Sequence, residues 1–260
     1  MNHIIKLGLA TAAMCTLFAG APALAAPDEA VTETRVVDAR VTRVKLDGVV
    51  NLRVRQGAVA SLVLNGDKRW VGNTTTAQSG DTLVIEMTDT DHIRVGRNSH
   101  IGIRAELTLP ALRAVSSESL GWTEVSGFSG ERLSLELDGA GGMKVNCQYR
   151  IVDATLGGLG SLNIEGNNEG IDLDLQGAGF VILSGRSKWL KANVSGLGGL
   201  NAKKLEADTV DLDLGGVGGA AVTARESAKL SLGGMGSVTV YGKPAKRNVS
   251  VDGLGSVSWK

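Results

Sequence analysis

The chain has 260 residues, and its 27 basic side chains balance 27 acidic ones, so it offers no electrostatic footprint for nucleic acid or an anionic bilayer. Past the N-terminus no segment approaches the run of about 20 apolar residues that a membrane helix needs. Glycine, at 36 residues, is about twice its ordinary usage, and its periodic placement argues for bends at fixed positions rather than for a flexible linker.

Residues 1–26, MNHIIKLGLATAAMCTLFAGAPALAA, combine a basic start at Lys6, an apolar stretch from Leu7 to Gly20, and Ala-x-Ala at Ala23 and Ala25. This is the pattern of a secretory signal peptide, too short and wrongly flanked for a membrane span. Met14 before Cys15 does not suit lipoprotein processing. The expected product is exported, to the periplasm or the cell surface.

Residues 27–118 read as irregular N-terminal rungs of a β-solenoid. The strand-like runs are VTRVKLDGVVNLRVRQG, ASLVLNGD, TLVIEMTD and IRAELTLP, separated by Gly, Asn and Asp turn signals. The segment LDGVVNLRV (46–54) echoes LDGAGGMKV (137–145). A worn repeat shows at SLGWTEV, where Ser119 falls 20 residues before Gly139. The expectation is one continuous solenoid with insertions and no helical domain.

From residue 119 to 260 the pattern is regular. Gly-apolar-Gly recurs with its first glycine at 139, 158, 177, 196, 216, 234 and 253, so the successive differences are 19, 19, 19, 20, 18 and 19. A fixed period of this length marks a solenoid, in which one repeat cannot bury its apolar face alone. Two and four residues before each first glycine stand Leu137/Leu135, Leu156/Ala154, Leu175/Leu173, Val194/Ala192, Leu214/Leu212, Leu232/Leu230 and Val251/Val249. Four and six residues after it stand Met143/Val145, Leu162/Ile164, Val181/Leu183, Leu200/Ala202, Ala220/Val222, Val238/Val240 and Val257/Trp259. Period-two alternation of this kind predicts strands with one buried face.

Each repeat is thus expected to hold two short strands joined across the Gly-x-Gly corner. The residues between the glycines (Ala140, Leu159, Ala178, Leu197, Val217, Met235 and Leu254) are expected to point inward as well. Asp172, Lys191, Asp211 and Lys229 recur at one outward position of four successive rungs and are expected to form a solvated charge ladder. Trp259, inward in the last rung, is expected to lie across the core as a cap. The competing reading pairs the Gly253–Lys260 strand with a second molecule as a homodimer.

Sharper chemistry finds little support. The stretches GGLGSL, GGVGGA and GGMGSV resemble a calcium-binding nonapeptide, but Leu162, Ala220 and Val238 occupy the place of its carboxylate. No bend completes a nucleotide-binding glycine motif, and no serine sits in a nucleophile elbow. The segment DTDHIRVGRNSH gathers His92 and His100 with Asp89 and Asp91, at a spacing that matches no metal motif. Asp172, Asp174, Asp211 and Asp213 are the carboxylates nearest to a glycosidase arrangement. Cys147 is the one cysteine beyond residue 26, which excludes an intramolecular disulfide. It either fills a tight bend where other repeats carry Gly166, Gly185 and Gly242, or acts as a free thiol between molecules.

Together, VTRVKLDGVVNLRVRQG, TLVIEM followed by AELTLPALRAVSSES, the Gly-x-Gly rungs and the ending VTVYGKPAKRNVSVDGLGSVSWK resemble the secreted head GIN domains, a family labelled as auto-transporter adhesins. The resemblance covers about residues 40–260. It implies a right-handed parallel β-helix in a cell-envelope or surface setting and brings no catalytic, cofactor-binding or metal residues with it. The expected function is that of an exported, non-enzymatic binding or structural module of the envelope whose partner is a polysaccharide or a protein. The alternative is a carbohydrate-active β-helix enzyme, a lyase or hydrolase.

Overall fold

The computed structural model describes residues 30–88 and 102–260. The expected signal peptide lies outside them, as do Asp89, Asp91, His92 and His100.

Up to residue 232 the regular part of the chain consists of long strands that each run from one Gly-x-Gly bend to the next, and beyond it of shorter ones. After eight N-terminal strands come β9 (Trp122–Leu137), β10 (Gly142–Leu156), β11 (Ser161–Leu175), β12 (Phe180–Val194), β13 (Leu197–Leu214), β14 (Val217–Leu232), β15 (Met235–Tyr241), β16 (Lys246–Val251) and β17 (Ser256–Trp259). Each pairs in parallel with the strand one repeat away, as Leu173 with Ala154 on one side and Ala192 on the other. The result is a β-solenoid of about 8 turns. Where two short strands per repeat were expected, the backbone from β9 to β14 stays extended through the second bend, so the two halves merge into one strand; after Gly234 they remain two, β15 and β16.

The alternation places the side chains as the pattern requires. Every inward residue of the repeats from Gly139 to Gly234 is buried, Leu137, Leu173, Val194 and Leu214 among them. In the last repeat Val249 and Val251 remain 41% and 44% exposed. Their strand, β16, pairs with β14 alone and so covers one side only. Trp259 is partly buried against the core, with the Arg247 guanidinium carbon 4.3 Å from its ring centroid.

The N-terminal strands are β1 (Ala30–Arg35), β2 (Arg43–Asp47), β3 (Val50–Gln56), β4 (Ser61–Asp67), β5 (Thr74–Ser79), β6 (Thr82–Met87), β7 (Ile103–Leu109) and β8 (Ala114–Ser117). Their order in space differs from their order in the chain. The β2–β3 rung lies between β6–β7 on one side and β8–β9 on the other, all in parallel. Beyond that outer rung the parallel pattern stops, because β4 runs antiparallel to both β7 and β1, and β5 antiparallel to β6. One helix of five residues, α1 (Lys68–Gly72), links β4 to β5 and is N-capped by the Asp67 carboxylate. The echo at 46–54 is structural: Val44, Leu46, Val50, Leu52 and Val54 are all buried. Leu120 N–H donates to Gly48 O at 2.9 Å, as Leu159 N–H donates to Gly139 O at 3.2 Å.

Candidate binding surface

The residues between the paired glycines point outward, which corrects the inward placement expected for them. Parity is the reason. Inward positions lie an even number of residues from the first glycine, and the alternation continues through the bend, so the intervening residue is odd and faces solvent. The even places in the bend are the glycines themselves, which pack too closely on the preceding rung for any side chain. A Cβ on Gly196 would overlap the Gly177 carbonyl oxygen, and one on Gly179 would lie 2.6 Å from Leu156 Cδ2.

An apolar ridge results, formed by Leu120, Ala140, Leu159, Ala178, Leu197, Val217, Met235 and Leu254 on successive rungs. Leu159, Leu197 and Leu254 are 70%, 64% and 83% exposed. With parallel strands about 4.8 Å apart, seven steps make a ridge about 34 Å long. Scattered exposed leucines are unremarkable, but a contiguous apolar row marks an interaction surface.

Two open grooves flank the ridge and share Ala178 and Leu197 with it. One, of about 730 Å³, runs past Trp122, Ser161 and Phe180; the other, of about 680 Å³, runs past Gln176, Ser195 and Met235. No ionisable side chain lines either groove.

Trp122 and Phe180 owe their placement to glycines on the next rung. Trp122 pairs with Gly142, and Phe180 with Gly199. A Cβ on Gly142 would meet three atoms of the Trp122 six-membered ring, two of them at 2.6 and 2.7 Å. One on Gly199 would lie 2.6 Å from Phe180 Cε2. Each ring therefore lies across a bare glycine, which shields the neighbouring backbone as aromatic rescue does in edge glycines. The other side of each ring faces solvent, and Trp122 is 61% exposed. The same pairing recurs elsewhere, with Trp189 over Gly170 and Tyr149 over Gly130. Sequence reasoning missed these rings, although an aromatic residue 19 or 20 positions from a glycine was a readable signal.

The charged residues sit on other faces. The expected ladder forms, with Lys191 Nζ 3.5 Å from Asp172 Oδ2 and Lys229 Nζ 3.0 Å from Asp211 Oδ2. Asp174 accepts hydrogen bonds from Gln176 at 2.6 Å and Asn193 at 3.2 Å. Asp172, Asp174 and Asp211 are thus engaged by neighbouring side chains, and neither they nor Asp213 line either groove. A second ladder joins Glu131, Arg150, Glu169 and Lys188. Hydrogen bonds from Arg150 and Lys188 hold the Glu169 carboxyl below its usual range. Among the described residues no group of three or more His, Cys, Asp or Glu is placed to hold a metal ion.

Cys147 is buried, and Gly166 packs against its carbonyl. Burial pushes its thiol up to about 11, so the thiolate needed for exchange between molecules is suppressed. Two residues on in the same strand, Tyr149 is also buried and donates to the Leu112 carbonyl at 2.6 Å.

Residues 41–244 match the family described as "Putative auto-transporter adhesin, head GIN domain". The chain belongs to this head GIN family. Solved structures share the fold. A "putative adhesin" from Parabacteroides distasonis is 15% identical, covers 90% of this chain and 98% of its own, and superposes with a TM-score of 0.77. One from Bacteroides fragilis is 21% identical over 89% of this chain and 97% of its own, with a TM-score of 0.64. A third, from P. distasonis, is named a "putative lipid binding protein"; it is 15% identical over 90% and 98%, with a TM-score of 0.68. No curated protein matches the chain. No helix of the described residues is long and apolar enough to cross a membrane.

Proposed function

We propose that this head GIN protein is an exported, non-enzymatic adhesion-like module of the cell envelope, and that the apolar ridge with its flanking grooves is its contact face. The observation that carries this reading is the ridge itself. Eight rungs in succession present an apolar side chain to solvent, between grooves without an ionisable group. Such a surface favours burial against a partner and lacks the acid and base that glycosidic cleavage requires. Family membership and the adhesin names of the structural neighbours support an adhesion-like role, and the N-terminal 26 residues support export to the periplasm or the surface.

The test is co-sedimentation of the full chain with isolated envelope fractions, sacculi and surface polysaccharide, alongside lipid vesicles. Binding to envelope material is expected to survive raised salt, because it is not electrostatic, and to be lost in the Leu159→Ser, Leu197→Ser double variant. Reducing ends are expected not to accumulate in the polysaccharide. The proposal fails if polymer is cleaved, or if Lys191→Ala and Lys229→Ala abolish binding while the ridge variant retains it. Retention on vesicles alone would move the contact to lipid.

A further inference from the structure

The groove beside Trp122 and Phe180 has a floor, a wall and two platforms. Glycines 141, 160, 179 and 198 form its floor, and Leu159 and its ridge neighbours form the wall. Trp122, Gly142, Ser161 and Phe180 follow one another along the opposite side, each directly paired with the next. The two rings are therefore three rungs apart, about 14 Å. Both lean the same way, over the glycine one rung onward, so their outer faces keep that spacing. Ser161, between them, donates its N–H to Gly141 O at 3.2 Å, while its hydroxyl has no hydrogen-bond partner among the described residues, and it is half-buried.

We propose that this trough binds a linear, neutral polysaccharide lying along the solenoid axis, with two of its sugar rings stacked on Trp122 and Phe180. The inference rests on the ridge face being the contact face and names its ligand class. A pyranose presents a flat patch of C–H groups edged with hydroxyls. The trough offers the counterpart, two flat aromatic faces with a free hydroxyl between them. A rung step is close to the length of one sugar in an extended chain, so successive sugars meet successive rungs. The absence of charge in the lining selects a neutral polymer over an anionic one, for which no cation is provided. An acyl chain would stay largely wetted in so open a trough. A peptide strand would find no unpaired backbone here, because the strands from β9 to β14 are hydrogen-bonded to one another in sequence.

Affinity electrophoresis of the full chain in gels containing soluble β-glucan, xylan or galactomannan, with polygalacturonate as the anionic control, tests the proposal. At least one neutral polymer is expected to retard the protein, and oligosaccharides too short to span both rings are expected not to compete. Trp122→Leu and Phe180→Leu keep an apolar cover over Gly142 and Gly199 but remove the flat face. Each is expected to weaken binding about two- to tenfold, and the pair together about four- to hundredfold. Trp189→Leu, which alters the ring over Gly170 outside this trough, is expected to leave binding unchanged. Circular dichroism confirms that each variant is folded. The proposal is overturned if no neutral polymer binds, if polygalacturonate binds equally well, or if the double leucine variant binds as tightly as the wild type. If ridge-dependent envelope binding persists in that event, the glycan assignment falls alone; if that dependence is also absent, the contact face falls with it.

Discussion

Replacing Gly215 or Gly216 with alanine adds the same methyl group to neighbouring residues of one bend. At Gly216 the new Cβ would overlap the Gly196 carbonyl oxygen and lie 2.7 Å from the carbonyl carbon and oxygen of Ser195. All of these are backbone atoms of the preceding rung and cannot rotate aside. That rung is held close by hydrogen bonds from Gly216 N–H to Val194 O and Val217 N–H to Gly196 O, both 3.1 Å. Separating the rungs to admit the methyl should cost about 1 to 3 kcal/mol, the usual range for overpacking. At Gly215 nothing lies within 4 Å of the added Cβ, and its φ is not positive. There the substitution only restricts the unfolded chain and should stabilise by about 0.4 to 1 kcal/mol. Gly233 and Gly234 repeat the contrast one rung on, with open space at the first and the Gly216 and Gly215 carbonyl oxygens at the second. Urea and thermal unfolding followed by circular dichroism give the four values. At about 2 to 4 °C per kcal/mol for a chain of this size, the members of each pair should move in opposite directions and separate by about 3 to 16 °C. If both members of either pair move the same way, close approach of successive rungs is not the reason for the glycine period.

Leu173→Ala should lower stability by about 2 to 5 kcal/mol, because Leu173 is fully buried between Ala154 and Ala192, which are too small to fill the space. Lys191→Ala, whose 3.5 Å ion pair with Asp172 is exposed, should cost under about 1 kcal/mol; equal shifts in unfolding would contradict the inward and outward register. Burial raises the Cys147 thiol from its ordinary value of 9.0 to about 11 in the folded chain. Its contribution should therefore be complete below about pH 9 and be lost as pH rises towards 11, and a wild-type minus Cys147→Ala difference without that slope would refute the buried thiol. Trp259→Ala should lower stability by about 1 to 3 kcal/mol through lost packing and the Arg247 contact, and should promote self-association. A wild-type dimer in light scattering that the substitution dissolves would instead place Trp259 in an interface.

Much of the fold was legible in one dimension because a solenoid contacts only its nearest neighbours. The 19-residue period, the inward leucines and valines and the Asp172–Lys191–Asp211–Lys229 ladder all follow from a repeat laid on itself with period-two alternation. Even the outward ridge lay within reach, since parity across the bend assigns Leu159 and Leu197 to solvent. The inward expectation failed by treating the bend as a break in the alternation.

What the tertiary structure decided is whatever depends on contacts outside the local repeat. The β6–β7 rung lies outside β2–β3, although it comes later in the chain, and β4 and β5 turn antiparallel at that end. Strand runs such as ASLVLNGD look the same whether their partner is parallel or antiparallel, because the alternation records which face is buried and not which neighbour is bonded. The trough beside the ridge also needed three dimensions. Trp122 and Phe180 stand far apart in the chain, and only the stacking of rungs sets their rings in one row, each across a glycine small enough to leave it room.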